Sequence, residues 1–434
     1  MTRVVVVGGG LGGMAVAARL AKLGHAVTLC EASDRLGGAL RPVERDGFVW
    51  DGGAASTLLP AVLRDLFRKT GRPLERELHL VPLQPIREHR FTDGSRLALP
   101  GGSRAAQLRA FDGLGAGLGA AWAAYVAGLA VDWELVRRDY LERPYDPATA
   151  DRAATVVLRR RLSLGRLVEQ ALPDERLRLV ALHHVRAEGQ DPARVPAWVG
   201  VWSYLEQRLG AATVPGGLSA VAAALERRLE TRGVEVRLST PVTRLLVDGG
   251  RARGVATAAE ELASDATVVA CDPSRFRALS RHVRRTTPVP APTVVHLGVT
   301  GDLDLAHETV LHGGPDLVLH RGGSAPAGHA VLTVAAHRPP ATSDLVDLLA
   351  DRGIDLRERV VSRVDRSAGE VGAGGSPYGV AWEGRATVSR RLGPRTPIAG
   401  LFAAGAHATP GGGVPFVGLS AALVAQVVGP APGR

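Results

Sequence analysis

The chain contains few cysteine, lysine and aromatic residues. Among its 434 residues there are two cysteines, Cys30 and Cys271, and the lysines are Lys22 and Lys69. Both cysteines end apolar runs, so we expect small buried thiols and neither a disulfide nor a redox pair. Aromatic residues make up 4% of the chain, and no motif typical of a nucleic-acid reader is present. Despite a net charge of +10, we therefore expect no nucleic-acid partner.

The sequence also lacks the patterns of a metal site and of a membrane span. Histidines such as His183, His184 and His312 have no cysteine or carboxylate at ligand spacing, so no metal site is predicted. Residues 113–131 are uncharged but rich in Gly and Ala, which favours a cap helix over a membrane span. The first predicted strand begins at Arg3, so we expect no signal peptide and a cytoplasmic protein.

The beginning of the chain carries the most informative pattern. An apolar run leads into the glycine turn of residues 8–13, and a helix-compatible segment follows. Gly8 permits a tight turn, Gly10 lets the backbone approach a pyrophosphate, and Gly13 allows close packing of helix on strand. Glu31 ends the next predicted strand, where its carboxylate can accept hydrogen bonds from a ribose diol. This spacing predicts a dinucleotide-binding fold, with a glycine-rich surface turn as the alternative.

Several later segments resemble a known family. A second glycine pair, Gly37 and Gly38, closely follows Glu31 and is similar to the signature of the flavoprotein superfamily of amine oxidases and phytoene desaturases. Further segments resemble bacterial-type phytoene desaturases or their superfamily in the same order, namely residues 46–53, 214–218, 233–247 and 400–415. The chain is thus identified as a member of the phytoene desaturase-like flavoproteins.

The resemblance implies an FAD-dependent oxidoreductase of the α/β class. Its fold would be a three-layer, Rossmann-like FAD-binding domain with an interleaved α+β substrate and cap domain. The implied cofactor-binding residues are Gly8, Gly10, Gly13, Glu31, Gly37, Gly38, Val242, Gly405, Ala406, Gly413 and Val414. A closing helix, expected over residues 418–428, would direct its positive end toward the N1–C2=O edge of the flavin. The implied substrate is a hydrophobic small molecule, an isoprenoid or polyene of carotenoid biosynthesis, from which hydride is removed.

The matching segments are separated along the chain, which predicts interleaved domains. These are a discontinuous FAD-binding domain (residues 1–76, 206–275 and 370–434), a helical cap (77–205) and an antiparallel-sheet substrate domain (276–369). In the last of these, apolar and polar residues alternate as in strands. An apolar tunnel for a long hydrocarbon would be lined best by residues 114–131 and 195–205 of the cap.

Some positions depart from the family's pattern. Ala39 stands where Arg or Lys is usual beside the cofactor phosphates, and Arg41 follows two residues later. In the closing motif, Thr409 replaces a common histidine, and His407 stands where a small residue is usual. These changes predict weakened but retained FAD binding, and they leave open a chemistry that differs from carotenoid desaturation.

The catalytic acid or base, if there is one, is unknown from the sequence. Candidate side chains, each with an ordinary structural role as the alternative, are His183, His184, Tyr204, Trp382, Glu383 and Arg385. Only one dinucleotide fingerprint is present, so electrons are expected to leave to oxygen or a quinone.

Other functions and partners stay open. An amine oxidase-like enzyme acting on a small natural-product intermediate is the first alternative. A flavin-free prenyl-lipid carrier is the second, although the intact glycine motifs argue against it. The arginine clusters at residues 159–161 and 281–285 fit a solvated face, with peripheral contact to an anionic membrane as the alternative. The oligomeric state is left open.

Overall fold

The computed structural model describes residues 2–340 and 343–432. The strands, in chain order, are β1 (Arg3–Val7), β2 (Ala26–Cys30), β3 (Val43–Arg45), β4 (Phe48–Trp50), β5 (Val81–Pro82), β6 (Arg87–Arg90), β7 (Arg96–Leu99), β8 (Ala212–Thr213), β9 (Glu235–Arg237), β10 (Arg244–Asp248), β11 (Arg251–Ala256), β12 (Glu261–Ala263), β13 (Ala266–Val269), β14 (Thr293–Thr300), β15 (Glu308–Leu311), β16 (Leu317–His320), β17 (Gly323–Ser324), β18 (His329–Ala336), β19 (Val360–Arg366) and β20 (Leu401–Ala403). The α-helices are α1 (Leu11–Lys22), α2 (Pro60–Thr70), α3 (Arg104–Asp112), α4 (Leu118–Gly128), α5 (Ala130–Val136), α6 (Arg152–Leu158), α7 (Leu164–Ala171), α8 (Glu175–Ala187), α9 (Val201–Leu209), α10 (Ala220–Thr231), α11 (Arg277–Val283), α12 (Leu345–Asp351), α13 (Ala368–Val371), α14 (Thr387–Arg390) and α15 (Val414–Val428).

A parallel sheet of order β20-β13-β1-β2-β9 lies at the centre of the three-layer domain. The run Val4 to Val7 is buried throughout because both faces of β1 are covered. Helices α1, α10 and α15 pack on one face. The antiparallel layer β10-β11-β12 and helix α11 cover the other. The predicted fold class, a Rossmann-like domain with an interleaved α+β domain, is confirmed.

A second, larger sheet has the order β19-β14-β18-β16-β15-β6-β7. Its strands are antiparallel except at the β15–β6 pair. The alternation of residues 293–300 correctly predicted strand β14, and one face of the sheet buries its apolar residues against α12. Strands β6 and β7 come from the segment predicted as a helical cap, so this segment also supplies one edge of the sheet.

Between β7 and β8 the chain forms helices α3 to α9, which we call the cap helices. They share one apolar core. Residues 113–131, predicted as one helix, divide into α4 and the start of α5. Trp122 is fully buried, stacks on Phe111 at 4.3 Å between ring centroids, and donates from Nε1 to Gln107 Oε1 at 2.8 Å. Trp122 is therefore a core residue of the cap.

The cysteines and the uncharged segment take ordinary structural roles. Cys30 and Cys271 are both free thiols, and burial raises the pKa of Cys30 to about 11. Among the described residues, no helix combines the length and the apolarity that crossing a bilayer requires.

Candidate cofactor and active site

The first glycine turn joins β1 to α1 with a geometry that only glycine permits at two positions. Gly8 has a φ of +105°, in the region that disfavours side chains. A Cβ added to Gly13 would lie 1.8 Å from the carbonyl oxygen of Gly8, so the helix could not approach the strand with a larger residue there. The expected roles of both glycines match this geometry.

Three glycine-containing segments meet at the start of α1. A Cβ on Gly38 would lie 2.8 Å from the Cα of Gly10, and a Cβ on Gly12 would lie 2.7 Å from the Cα of Gly405. Helix α1 begins without a side-chain cap and without an acidic residue in its first turn. Its first N–H groups and the positive end of its dipole are thus available to an anion. This cradle of bare backbone fits a pyrophosphate.

Glu31 lies beside this cradle. Its Oε2 accepts from the Gly9 N–H at 2.6 Å, and its Oε1 accepts from the N–H and hydroxyl of Ser33 at 2.9 and 2.6 Å. Arg41 donates from Nη2 to Ser33 Oγ at 2.6 Å, while its buried Nε has no partner. Val242 is half-buried against the neighbouring core. The carboxylate and the free Nε fit the ribose and phosphates of an adenine dinucleotide.

The closing helix α15 begins at Val414, four residues before the predicted start at 418. Pro415 explains the difference, because its fixed φ and missing N–H suit the first helical turn. Gly413 precedes the helix with a φ of +89°, no side chain caps it, and Val414 and Phe416 are buried. Next to this turn, Gly405 donates its N–H to Ser420 Oγ at 3.1 Å, and Ala406 follows it. A buried, uncapped helix start without acidic residues fits the electron-rich edge of a flavin.

The unusual closing-motif residues occupy defined places. Thr409 is buried and donates its N–H and its hydroxyl to the Leu392 carbonyl at 2.7 and 3.1 Å. His407 Nδ1 lies 3.9 Å from Asp272 Oδ1, and burial lowers its pKa although Asp272 opposes the shift. His407 and Asp272 line a cavity of about 210 Å³ with residues of α11 and of the segments on either side of it.

Aromatic side chains surround the first turn of α15. Phe416 lies 4.6 Å from Trp202, Trp198 lies 5.0 Å from Trp382, and Tyr140 lies 5.6 Å from Trp198, all between ring centroids. We call these five residues the aromatic wall. It is continuous with the apolar core of the cap helices, so the cap presents an apolar surface to the start of α15.

A buried arginine, Arg391, packs against the aromatic wall. The Arg391 guanidinium lies 4.0 Å over the Trp382 ring and donates to the carbonyls of Val380 and Ala406 at 2.6 and 3.4 Å. Burial lowers the pKa of Arg391, with Tyr140 opposing the shift. These contacts fix the position of Trp382.

Charged side chains line the face of the large sheet that meets α8 and α9. Arg87 Nη2 donates to Glu206 Oε1 at 2.8 Å, and Arg87 Nη1 to Glu308 Oε1 at 3.3 Å. His184 Nε2 donates to Glu206 Oε1 at 2.7 Å, and His183 Nε2 to Glu308 Oε1 at 2.9 Å. We call these five residues the ionic cluster. Apart from the half-buried His184, its members are buried.

The cluster shifts the pKa values of its members in defined directions. Burial disfavours the charged form of Glu206, but Arg87 and His184 outweigh burial and lower its pKa to about 2. Burial and then Arg87 lower the pKa of His183 to about 3, against a smaller opposing effect of Glu308. Near neutral pH the cluster therefore holds charged carboxylates and an uncharged His183.

The structure separates the six catalytic candidates. His183 and His184 belong to the ionic cluster, and Trp382 to the aromatic wall. Tyr204 packs half-buried against the cap core, whereas Glu383 pairs with Arg194 at 3.0 Å. Arg385 is exposed.

Sequence reasoning did not find Arg87, Glu206 or Glu308. In the sequence these residues are charged side chains within short apolar segments. That pattern is equally typical of a solvated face. In the described part of the chain, no group of three or more His, Cys, Asp or Glu residues could hold a metal ion.

Comparison with protein families gives one match over most of the chain. The model described as flavin containing amine oxidoreductase matches residues 11–429. Among curated proteins, the chain is 34% identical to the zeta-carotene-forming phytoene desaturase of Myxococcus xanthus, over 62% of this chain and 53% of that protein. It is 27% identical to 4,4'-diapolycopene oxygenase of a Methylomonas species, over 97% of both chains. It thus spans about half of the first relative's length and nearly all of the second's.

Solved structures share the fold at low identity. Putrescine oxidase bound to putrescine has a TM-score of 0.72 at 16% identity, with 98% of each chain covered. An oxidoreductase from Methanosarcina mazei has a TM-score of 0.67 at 19% identity, covering 98% of this chain and 100% of that one. These likenesses concern the fold alone.

Proposed function

The chain belongs to the family of flavin containing amine oxidoreductases and is an FAD-dependent oxidoreductase, and from that premise we propose that it removes hydride from an apolar isoprenoid or polyene substrate. Its curated relatives include carotenoid desaturases and a carotenoid oxygenase. Residues 8–13, Glu31 and the glycine pair at 37 and 38 are proposed to hold the adenosine and pyrophosphate. Val242, Gly405, Ala406, Gly413 and Val414 are proposed to hold the rest of the cofactor.

The aromatic wall is the observation that carries the substrate class. Its rings pack around Phe416 in the first turn of α15, where the flavin is expected. Flat apolar surfaces bind a hydrocarbon chain, keep it in one orientation and exclude water from it. When bound, FAD supplies the hydride acceptor. The chain's own residues then position a C–H bond, and no side-chain base is required for this role.

Membrane contact and the electron acceptor are further parts of the proposal. Val131 of α5 and Val156 of α6 are 68% and 59% exposed, and the exposed Arg159 and Arg161 follow α6. Apolar and basic side chains together suit the surface of an anionic membrane. We propose a cytoplasmic enzyme that collects its substrate at such a surface and passes electrons to oxygen or a quinone.

Product analysis tests the proposal. The FAD-loaded protein is incubated with phytoene in phosphatidylglycerol-containing liposomes, and the extracted polyenes are separated by chromatography. We expect products whose longer conjugation moves their absorbance to longer wavelength, and co-sedimentation of the protein with the liposomes. A substrate recovered unchanged with oxygen and a quinone both supplied would contradict the proposal.

The amine oxidase-like alternative has one observation in its favour. The ionic cluster places the carboxylates of Glu206 and Glu308 between the cap helices and the large sheet, and such charges suit a polar substrate better than a hydrocarbon. The same preparation incubated with putrescine and cyclohexylamine distinguishes the two functions, because amine oxidation would release hydrogen peroxide.

A further inference from the structure

A cavity of about 330 Å³ lies between the C-terminal half of α8 and the large sheet. Two of its lining residues connect it to the site described above. His183 belongs to the ionic cluster, and Gln190 accepts a hydrogen bond from the Trp382 N–H at 2.8 Å. The cavity therefore borders the ionic cluster directly and lies one hydrogen bond from the backbone of Trp382.

The lining of the cavity carries an excess of positive charge. Arg186 donates from Nε to Asp316 Oδ2 at 2.8 Å, and the Gly313 N–H donates to Asp316 Oδ1 at 3.1 Å. Arg338 lines the same cavity and makes no hydrogen bond or ion pair with the described residues. Two guanidinium groups and one carboxylate leave one positive charge, and the histidines of the lining do not cancel it.

The segment around Arg338 has two unusual features. Arg338 has a φ of +50°, in the left-handed region that residues with side chains adopt at a cost. The preceding His337 donates from Nε2 to the Ala187 carbonyl at 3.0 Å, so its buried Nδ1 is an acceptor without a partner. An ionised carboxylate can only accept hydrogen bonds, so the donor to this atom would be a water molecule held beside the ligand.

We propose that this cavity binds a carboxylate at the end of the apolar substrate chain, with Arg338 as the main partner and Arg186 beside it. Guanidinium groups bind carboxylates with two parallel hydrogen bonds, which gives both affinity and orientation. The carboxylate would fix which carbon of the chain lies at the aromatic wall. This inference rests on the proposed function, since it adds a head group to an apolar substrate.

Three retinoids with the same polyene and different ends test the inference. All-trans-retinoic acid, retinol and retinylamine are titrated into the FAD-loaded full chain, and binding is followed by quenching of tryptophan fluorescence. We expect the acid to bind at least tenfold more tightly than the alcohol and the amine. Arg338→Gly should remove this preference without lowering Tm, because glycine adopts the left-handed backbone more readily. Arg208→Gln, which removes an exposed arginine of α9, is the matched control and should keep the preference.

Other results would each overturn the head-group site. Equal affinity for acid and alcohol, or an undiminished preference in Arg338→Gly, would overturn the head-group site and leave the proposed function standing. Tightest binding of the amine would overturn it in favour of an amine substrate. If no retinoid binds, the head-group site is overturned, and the phytoene experiment described above decides separately whether the proposed function stands.

Discussion

Buried charge is the most unusual feature at the scale of single residues. Arg87 and Glu206 are 3% and 2% exposed, and such charges are unfavourable in a protein interior unless they are paired. They pair with each other across strand β6 and helix α9. The ionic cluster therefore ties the cap helices to the large sheet, and its protonation state should affect how well the two remain joined.

Acid should destabilise the fold through this cluster. The pKa of His183 is about 3 in the folded protein against 6.5 for an ordinary histidine, and that of Glu206 is about 2 against 4.5. Both folded values are lower, so the unfolded chain binds more protons as the pH falls. The contribution of these two groups to the free energy of unfolding is fully present above about pH 6.5. It is then lost as His183 titrates toward pH 3 and as Glu206 titrates between pH 4.5 and 2.

Thermal unfolding between pH 7 and pH 5 measures the histidine part of this effect. Tm should fall over this interval, and it should fall less in His183→Gln because one of the groups that take up a proton on unfolding is absent. His79→Gln, which changes an exposed histidine, should keep the slope of the unaltered protein. A slope in His183→Gln equal to that of the unaltered protein would show that His183 is not responsible.

Removing the Glu31 carboxylate should weaken cofactor binding. Glu31→Ala removes a charged acceptor beside the glycine turn, and FAD affinity should fall by about 1.5–3 kcal/mol, the range of hydrogen bonds to charged groups. Isothermal titration of the apoprotein with FAD measures the change. Glu44→Ala, at an exposed position of β3, is the control. Unaltered affinity in Glu31→Ala would exclude this residue from the ribose site.

Residues near each other in sequence could be predicted, whereas distant partners could not. Glu31 follows a strand that is adjacent to the glycine turn, so the local pattern places both at one sheet edge. Arg87 lies 119 residues from Glu206 and 221 from Glu308. Only the folded topology brings those charges together, and a polar residue in a short strand is by itself equally typical of a solvated edge.

For helices and strands, the periodicity of apolar residues predicted where an element lies better than where it begins or ends. Residues 293–300 alternate and form β14 as predicted. Helix α15 begins at Val414, before the expected residue 418, because Pro415 favours a helix start. Strands β6 and β7 were not predicted, because neither carries a long apolar run and both depend on pairing with β15 or with each other.

The packing of α1 on β1 should be sensitive to the addition of a single methyl group. Gly13→Ala would bring a methyl group to 1.8 Å from the Gly8 carbonyl oxygen. Because the helix must shift, we expect the free energy of unfolding to fall by about 1–3 kcal/mol. The affinity for FAD should fall as well. Gly128→Ala is the matched control, since nothing lies within 4 Å of its Cβ, and it should be neutral or slightly stabilising. Chemical denaturation of both variants compares them, and equal stability would contradict the close packing.

At the scale of the whole molecule, the chain returns repeatedly to one site. The central parallel sheet takes β1 and β2 from the beginning of the chain, β9 and β13 from its middle and β20 from near its end. The cap helices and the large sheet are formed by the chain between these returns. This arrangement brings the glycine cradle, the start of α15 and the aromatic wall to one place, so that the candidate site is built from different parts of the sequence.

The domain ranges predicted from the sequence stay predictions. The order of the family's motifs indicated an interleaved chain, and the family and the fold are now established. The ends of the cap could not be placed, because residues 87–99 join the large sheet only through pairing with strand β15. The aromatic wall and the ionic cluster, on which the proposed substrate class depends, could not be predicted because their side chains meet only in the folded protein.

Anaerobic single-turnover reduction of the bound flavin tests whether the protein takes hydride from a polyene. The FAD-loaded protein is mixed without oxygen with phytoene in liposomes, and the visible absorbance of the flavin is followed in time, with NADH and putrescine as separate additions. We expect phytoene to bleach the flavin, and we expect no bleaching by NADH within milliseconds because the chain has a single dinucleotide fingerprint. Bleaching by putrescine with none by phytoene would contradict the proposed removal of hydride from a polyene.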